Sequence, residues 1–193
     1  ASKSEQNQPA TQESLLAYEL GVKSGLFDGK VQANASVFYY DYKDKQISSF
    51  FPDPIYRSLS RLQNAPEGEA YGFETDITWS ISDDLTAVGG MTLLHTEFGD
   101  FNTSDAFGLP TNRAGDPFLY SPEEVFNLTL VYDRPLNDTL GVSAVLNGRW
   151  QSDSTAGIPS DSAFDIDSYG ILNGSIGLYS LNDSWEFSIG GKN

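Results

Sequence analysis

The feature that most constrains this chain is an alternation of apolar and polar residues with a period of two, sustained over unusually long stretches. Across 69–82 one parity reads Tyr71, Phe73, Thr75, Ile77, Trp79, Ile81, and the other reads Gly72, Glu74, Asp76, Thr78, Ser80. Successive side chains of a strand point to opposite faces, so this is a strand with one apolar and one polar face. The same split runs through 31–40, 124–132, 140–151 and 185–193, and more softly through 16–23, 85–98 and 169–180. The count is about eight antiparallel strands and no convincing helix.

The connections sort into two kinds. Residues 25–30, 82–84, 134–138 and 181–184 are short turns rich in Gly, Asn, Asp or Pro, whereas 48–68, 99–122 and 152–167 are long. Short and long alternate, which places all tight turns at one end of an up-and-down sheet and all long loops at the other. The prolines are expected outside the strand cores, because proline cannot donate to a ladder.

Composition removes several function classes. A formal net charge of −16 argues against a nucleic-acid surface and against anionic lipid headgroups, both of which call for clustered Lys and Arg. With no Cys and one His there is no disulfide framework, no thiolate chemistry, no expected metal centre, and no triad that does not hang on His95. No apolar run approaches the ~18 residues of a membrane helix. A membrane β-barrel hides from that test, because its strands average to ordinary hydropathy (mean hydropathy −0.34). The polar start at Ala1, with neither initiator Met nor an apolar signal core, suggests a processed or excised chain.

Alternation alone does not say which face points inward. Two features favour apolar-out. Glu74, Asp76 and Arg149 sit deep in strands, where a wet lumen tolerates charge and a small dry core does not. The strands also run about 10–14 residues, enough for a tilted membrane span of ~9–11. Tyr39, Tyr40, Trp79, Tyr132, Trp150 and Trp185 near the strand ends suit interfacial girdles. Two alternatives stand beside this reading: a self-contained eight-stranded outer-membrane barrel with a structural or adhesive role, and a soluble β-sandwich binding module with its apolar faces buried.

Several segments resemble the TonB-dependent outer-membrane receptors. They are Ala17-Tyr18-Glu19-Leu20-Gly21-Val22-Lys23-Ser24, then Phe38-Tyr39-Tyr40-Asp41-Tyr42-Lys43-Asp44-Lys45-Gln46, Tyr71-Gly72-Phe73-Glu74 and Ser121-Pro122-Glu123-Glu124-Val125-Phe126-Asn127-Leu128. The terminal Trp185-Glu186-Phe187-Ser188-Ile189-Gly190-Gly191-Lys192-Asn193 is similar to the family's penultimate strand. The resemblance runs from Leu15 onward and implies an all-β, up-and-down transmembrane barrel segment, about eight strands of a 22-stranded barrel. Residues 1–14 would be the end of an external loop and 15–193 the partial barrel, with the plug, the TonB box and the last strand lying outside the chain. It further implies a Gram-negative outer membrane, contact with its lipid, and TonB-energised uptake of a scarce nutrient. A ferric siderophore is the first expectation; cobalamin, haem and oligosaccharides are others. TonB would act through the N-terminal region that this chain lacks. No enzyme activity, resident cofactor or nucleic-acid partner is implied.

The loop candidates for contact with an anionic, ring-bearing ferric chelate are Phe51, Tyr56, Arg57, Arg61, Phe101, Phe107 and Arg113, through stacking and charge-assisted hydrogen bonds. The plain alternative is that these rings pack the loops on themselves and that the Arg side chains pair with Asp. Glu74, Asp76, Asn147 and Arg149 are expected to line the lumen, with Arg149 a possible partner for the carboxylates. His95 is expected at the rim or in the lumen. Asp161, Asp165 and Asp167 are expected to be a solvated acidic loop rather than a calcium site.

Overall fold

The computed structural model describes residues 9–105, 107–157 and 162–193. In chain order the strands are β1 (Ser14–Leu26), β2 (Val31–Asp53), β3 (Arg57–Ser80), β4 (Leu85–Phe98), β5 (Asn102–Ser104) and β6 (Pro110–Asn112). They continue as β7 (Glu124–Pro135), β8 (Leu140–Gln151), β9 (Ser154–Thr155), β10 (Asp165–Ile166), β11 (Tyr169–Ser180) and β12 (Glu186–Lys192). A single 3₁₀ turn at Ser162–Phe164 is the helical content among the described residues.

The eight long strands form an antiparallel meander in the order β1-β2-β3-β4-β7-β8-β11-β12, each paired with its chain neighbour. Among the described residues β1 pairs only with β2, and β12 only with β11, so the sheet is open rather than closed on itself. That disfavours the self-contained eight-stranded ring.

The registers place all the apolar parities on one face. A row through Leu20, Val37, Phe73 and Leu93 continues on neighbouring strands as Leu128, Leu146, Ile176 and Ile189. No second layer covers it: Leu20 is 75% exposed, and Leu172, Phe187 and Ile189 stand open as well. A sandwich would bury this face, and an apolar surface so broad requires an apolar solvent. Aromatic rows bound it, with Tyr39, Tyr71, Phe126 and Trp150 toward the long loops and Trp79, Tyr132 and Phe187 toward the short turns. Tyr71 to Trp79 is about 26 Å along the strand at ~3.3 Å per residue. Tilted by ~40°, that rises about 20 Å along the membrane normal, most of the ~25 Å apolar band of a membrane barrel.

One expectation about the connections is overturned. Residues 48–68 are not a loop: β2 and β3 continue through them to a tight turn at 54–56, paired as far as Asp53 and Arg57. Nor do all prolines avoid strands, since Pro52 and Pro66 lie within β2 and β3. Pro66 interrupts the alternation of the strands. It has no N–H, and opposite it Asp44 takes a left-handed φ of 55°, so the ladder skips this pair while the register resumes at Lys45–Ala65.

The buried parity changes hands there. Gly68, Ala70, Thr96 and Phe98 are buried on the near side, whereas Ile47, Ser49, Phe51, Asp53 and Ala65 are buried beyond it. The N-terminal segment fills the gap. Thr11 N donates to Asn64 Oδ1 (2.8 Å), Asn64 Nδ2 donates to Asp44 O (2.5 Å), and Gln46 N donates to Glu13 Oε2 (2.9 Å).

If the apolar parity faces lipid, Leu128→Arg lowers stability by about 2–4 kcal/mol in a bilayer, the midplane cost of a lipid-facing Arg. Thr92→Arg, on the polar parity beside Glu74, costs far less. Urea unfolding of the protein refolded in phospholipid vesicles measures both. Equal losses would mean the two faces are not solvated differently.

Candidate functional site: the loop end of the sheet

At the long-loop end, residues 99–105 and 107–122 fold back onto the polar face of β2–β4. The core there is Phe98, Phe101 and Phe118, packed with Ile47, Ala65 and Ala70 and flanked by Tyr40, Tyr42 and Leu94. Phe118 lies 4.7 Å from Phe98 between ring centroids and meets Tyr42 edge-on at 5.5 Å, favourable aromatic geometries. Gly68 lets Phe118 approach: a Cβ there would sit 3.0 Å from its ring. Lys45 caps the group, its Nζ 4.2 Å above the Tyr42 ring and 4.8 Å above Phe118. Backbone bonds pin the loop to β4, with Phe98 N donating to Asp116 O (2.9 Å) and Phe118 N donating to Thr96 Oγ1 (3.0 Å).

The loop candidates separate into two groups. Arg113 is 1% exposed: its Nε donates to Asp116 Oδ2 at 3.0 Å and its guanidinium stacks over Phe98 at 5.3 Å. It anchors the loop and is not presented to a ligand. Phe101 is buried in the same core, and Phe51 is buried beneath Arg61, whose guanidinium lies 5.3 Å from its ring and whose Nε donates to Gln63 Oε1. For these residues the plain packing reading describes the geometry.

Tyr56, Arg57 and Phe107 are different, because the fold brings them together at the outermost tip. The turn at 54–56 is held by Asp53 Oδ1, which accepts from both Ile55 N and Tyr56 N at 2.8 Å. A second turn is built the same way, Asp105 Oδ1 accepting from Phe107 N (2.9 Å) and Leu109 N (2.8 Å). The two turns lie against each other: Gly108 has a φ of +83°, and a Cβ on it would fall 2.5 Å from Arg57 O. Short pairings (Phe50 with Ser104, and Thr103 Oγ1 donating to Phe50 O at 3.0 Å) tie them. The result is an apolar crest of Ile55, Tyr56, Phe107 and Leu109, each 63–78% exposed, with Arg57 beside it. Ile55 and Leu109 escaped the sequence reading, which weighed only rings and cations in the loops. The Asp-supported turns at Asp53 and Asp105 were the available signal.

The wall candidates all fall on the polar parity. Asp76, Gly90, Asn127 and Arg149 occupy one row across β3, β4, β7 and β8. Three strand spacings of ~4.8 Å put Asp76 and Arg149 about 14 Å apart, too far for an ion pair. Asp76 instead accepts from Asn34 Nδ2 (2.7 Å), Asn147 Nδ2 donates to Thr129 Oγ1 (2.8 Å), and Glu74 faces Ser36 and Thr92 across the ladder. His95 is on the apolar parity beside Tyr71, near the rim, 3.7 Å from Glu97 and 3.8 Å from Glu123; it does not line the lumen.

Beyond the apolar band, the hydrogen bond to Glu67 raises the Lys43 pKa, and burial raises that of the Tyr42 phenol. Both shifts hold the usual charge states at neutral pH. No cluster suited to a metal occurs among the described residues; Asp165 and Asp167 are exposed, and Asp161 lies outside them.

Gly108→Ala forces both the left-handed φ and the contact with Arg57, so the two turns separate, at a cost of about 1 kcal/mol or more. Hydrogen exchange at the Phe107 and Leu109 amides is expected to accelerate severalfold while β7 and β8 are unaffected. Unchanged exchange at the tip would show that the turns hold independently.

The family model described as TonB dependent receptor-like, beta-barrel matches residues 6–193. The ferric-pyoverdine M114 receptor of Pseudomonas sp. (strain M114) is 27% identical over 179 residues, covering 92% of this chain and 20% of that protein. The chain therefore spans about a fifth of the length of that curated relative. Among solved structures, the siderophore receptor PiuA from Acinetobacter baumannii superposes with a TM-score of 0.65 at 18% identity, over 91% of this chain and 23% of that one. The ferric yersiniabactin uptake receptor FyuA from Yersinia pestis gives 0.63 at 18% identity, over 86% and 22%. An antiparallel wall with an uncovered apolar face and loops packed at one end is thus matched by sequence and by shape, and the chain belongs to the TonB-dependent receptor β-barrel family.

Proposed function

We propose that this chain forms part of the wall and mouth of a Gram-negative outer-membrane receptor that takes up a ferric siderophore with energy supplied through TonB. The observation that carries this reading is the apolar crest at Ile55, Tyr56, Phe107 and Leu109, exposed on two turns braced by Asp53 and Asp105 at the loop end of a membrane-type sheet. A soluble domain has little reason to hold four large apolar residues in solvent on two braced turns, whereas a receptor mouth needs such a surface to meet its ligand. The names of the relatives point the same way, one being a ferric-pyoverdine receptor, one a siderophore receptor and one a ferric yersiniabactin uptake receptor. The chain holds only part of such a receptor, so TonB engagement and the transport step belong to the rest of it.

In this reading the crest supplies contact area and the packed Phe98–Phe101–Phe118 core keeps it in place. The polar wall bearing Glu74, Asp76, Asn147 and Arg149 borders the wet passage beneath. The chemistry asked of the protein is binding and release; no bond is made or broken.

The test uses the full-length receptor in an iron-starved Gram-negative host lacking its own siderophore receptors. Uptake of radioactive ⁵⁵Fe³⁺ supplied as chelates is expected, and is abolished by removing TonB. The double substitution Tyr56→Ala, Phe107→Ala is expected to weaken ligand binding about 10–100-fold, the loss of two aromatic contacts at ~0.7–1.4 kcal/mol each. The amount of receptor in the outer membrane should not change. Wild-type binding with both rings removed would take the crest out of the site.

A further inference from the structure

The electrostatics of the mouth narrow the ligand further, an inference that rests on the siderophore reading above. Within 44–67, 99–123 and 152–168 the described residues include ten carboxylates and four cations, Lys45, Arg57, Arg61 and Arg113. Three of those cations have partners within the fold, Arg113 buried and Lys45 and Arg61 half-buried. Arg113 is buried against Asp116 and Phe98, Lys45 sits over the rings of Tyr42 and Phe118, and Arg61 is bonded to Gln63 and stacked on Phe51. Arg57 is the one that stands exposed at the crest. Of the ten carboxylates, Asp53 is buried, Asp105 and Asp116 are half-buried and seven stand exposed, one of them, Glu67, paired with Lys43; toward the solvent, then, this part of the mouth is apolar at its tip and negative around it.

Ferric chelates differ sharply in charge. Three hydroxamates, each carrying one negative charge, neutralise Fe³⁺ and leave a chelate of zero charge. Three catecholates, each carrying two, leave it at −3. A trianion approaching the crest meets one exposed guanidinium and a surplus of carboxylates, a like-charge juxtaposition that opposes binding and slows encounter. A neutral or cationic chelate escapes that repulsion and still gains the apolar contact of Ile55, Tyr56, Phe107 and Leu109. We infer that this mouth selects ferric chelates without net negative charge, of the tris-hydroxamate kind, over trianionic tris-catecholates.

The experiment measures dissociation constants of the purified full-length receptor in detergent for a panel of ferric tris-hydroxamates and ferric tris-catecholates. Measurements are made at low and at physiological salt. The expected result is that the tightest member is a tris-hydroxamate, by tenfold or more, with little dependence on salt. Any tris-catecholate binding should strengthen as salt screens the repulsion. The triple substitution Asp153→Asn, Asp165→Asn, Asp167→Asn removes three exposed charges that bear no part of the crest. It is expected to raise tris-catecholate affinity severalfold and leave tris-hydroxamate affinity alone. A tris-catecholate as the tightest member, with affinity falling as salt rises, overturns the charge inference and leaves the siderophore reading standing. Binding of no ferric chelate of either kind overturns the siderophore reading itself.

Discussion

A polypeptide crossing hydrocarbon must satisfy each backbone N–H and C=O from within, and that constraint orders everything else in this chain. Seven antiparallel ladders run in single registers through the segment between the aromatic rows, with no bulge or skipped pair in that zone. Because side chains alternate strictly, fixing the registers also fixes the faces. One slip by a single residue would carry a row of Leu, Ile and Phe to the wet side and Glu74 and Asp76 into lipid. The registers and the solvent on each face therefore enforce one another.

The constraint relaxes where the sheet leaves the membrane, and there the chain departs from it. Pro66 removes a donor that water or a side chain can replace outside lipid, and Asp44 turns left-handed opposite it. The buried parity then changes from even to odd residues, so Ile47 and Ala65 pack with Phe101 and Phe118 of the loop rather than facing the outside. Below this break the sheet is a membrane wall; above it the same two strands become the brace of a soluble-like core. Asn64 joins the two regimes through its bonds to Asp44 and to Thr11 of the N-terminal segment.

How much of this could be read in advance follows the same boundary. The spans of β4, β8 and β11 coincide with the alternation in the sequence, and the other long strands differ chiefly at their ends. The environment there is uniform, and a uniform environment writes a uniform pattern. The distal hairpin carries no continuous alternation in the sequence because its phase reverses at Asp44–Pro66, and a reversal resembles the loss of periodicity that marks a loop. The ligand candidates suffered from a different ambiguity. Residue type alone does not separate an Arg that receives an anion from one that holds a loop together. Arg113 and Phe101 proved internal, while Ile55 and Leu109 reached the surface although neither is a ring or a cation.

The fate of Arg113 shows what an acidic mouth requires of its few cations. With Asp116 bonded to its Nε and Phe98 beneath it, the guanidinium is worth more to the loop as an internal tie than it would be at the surface, where salt screens it. Lys45 is drawn in by the Tyr42 and Phe118 rings for the same reason. Folding the loops thus buries Arg113 against Asp116 and half-buries Lys45 while most of the loop carboxylates stay exposed, so the charge this end presents depends on the packing of its core.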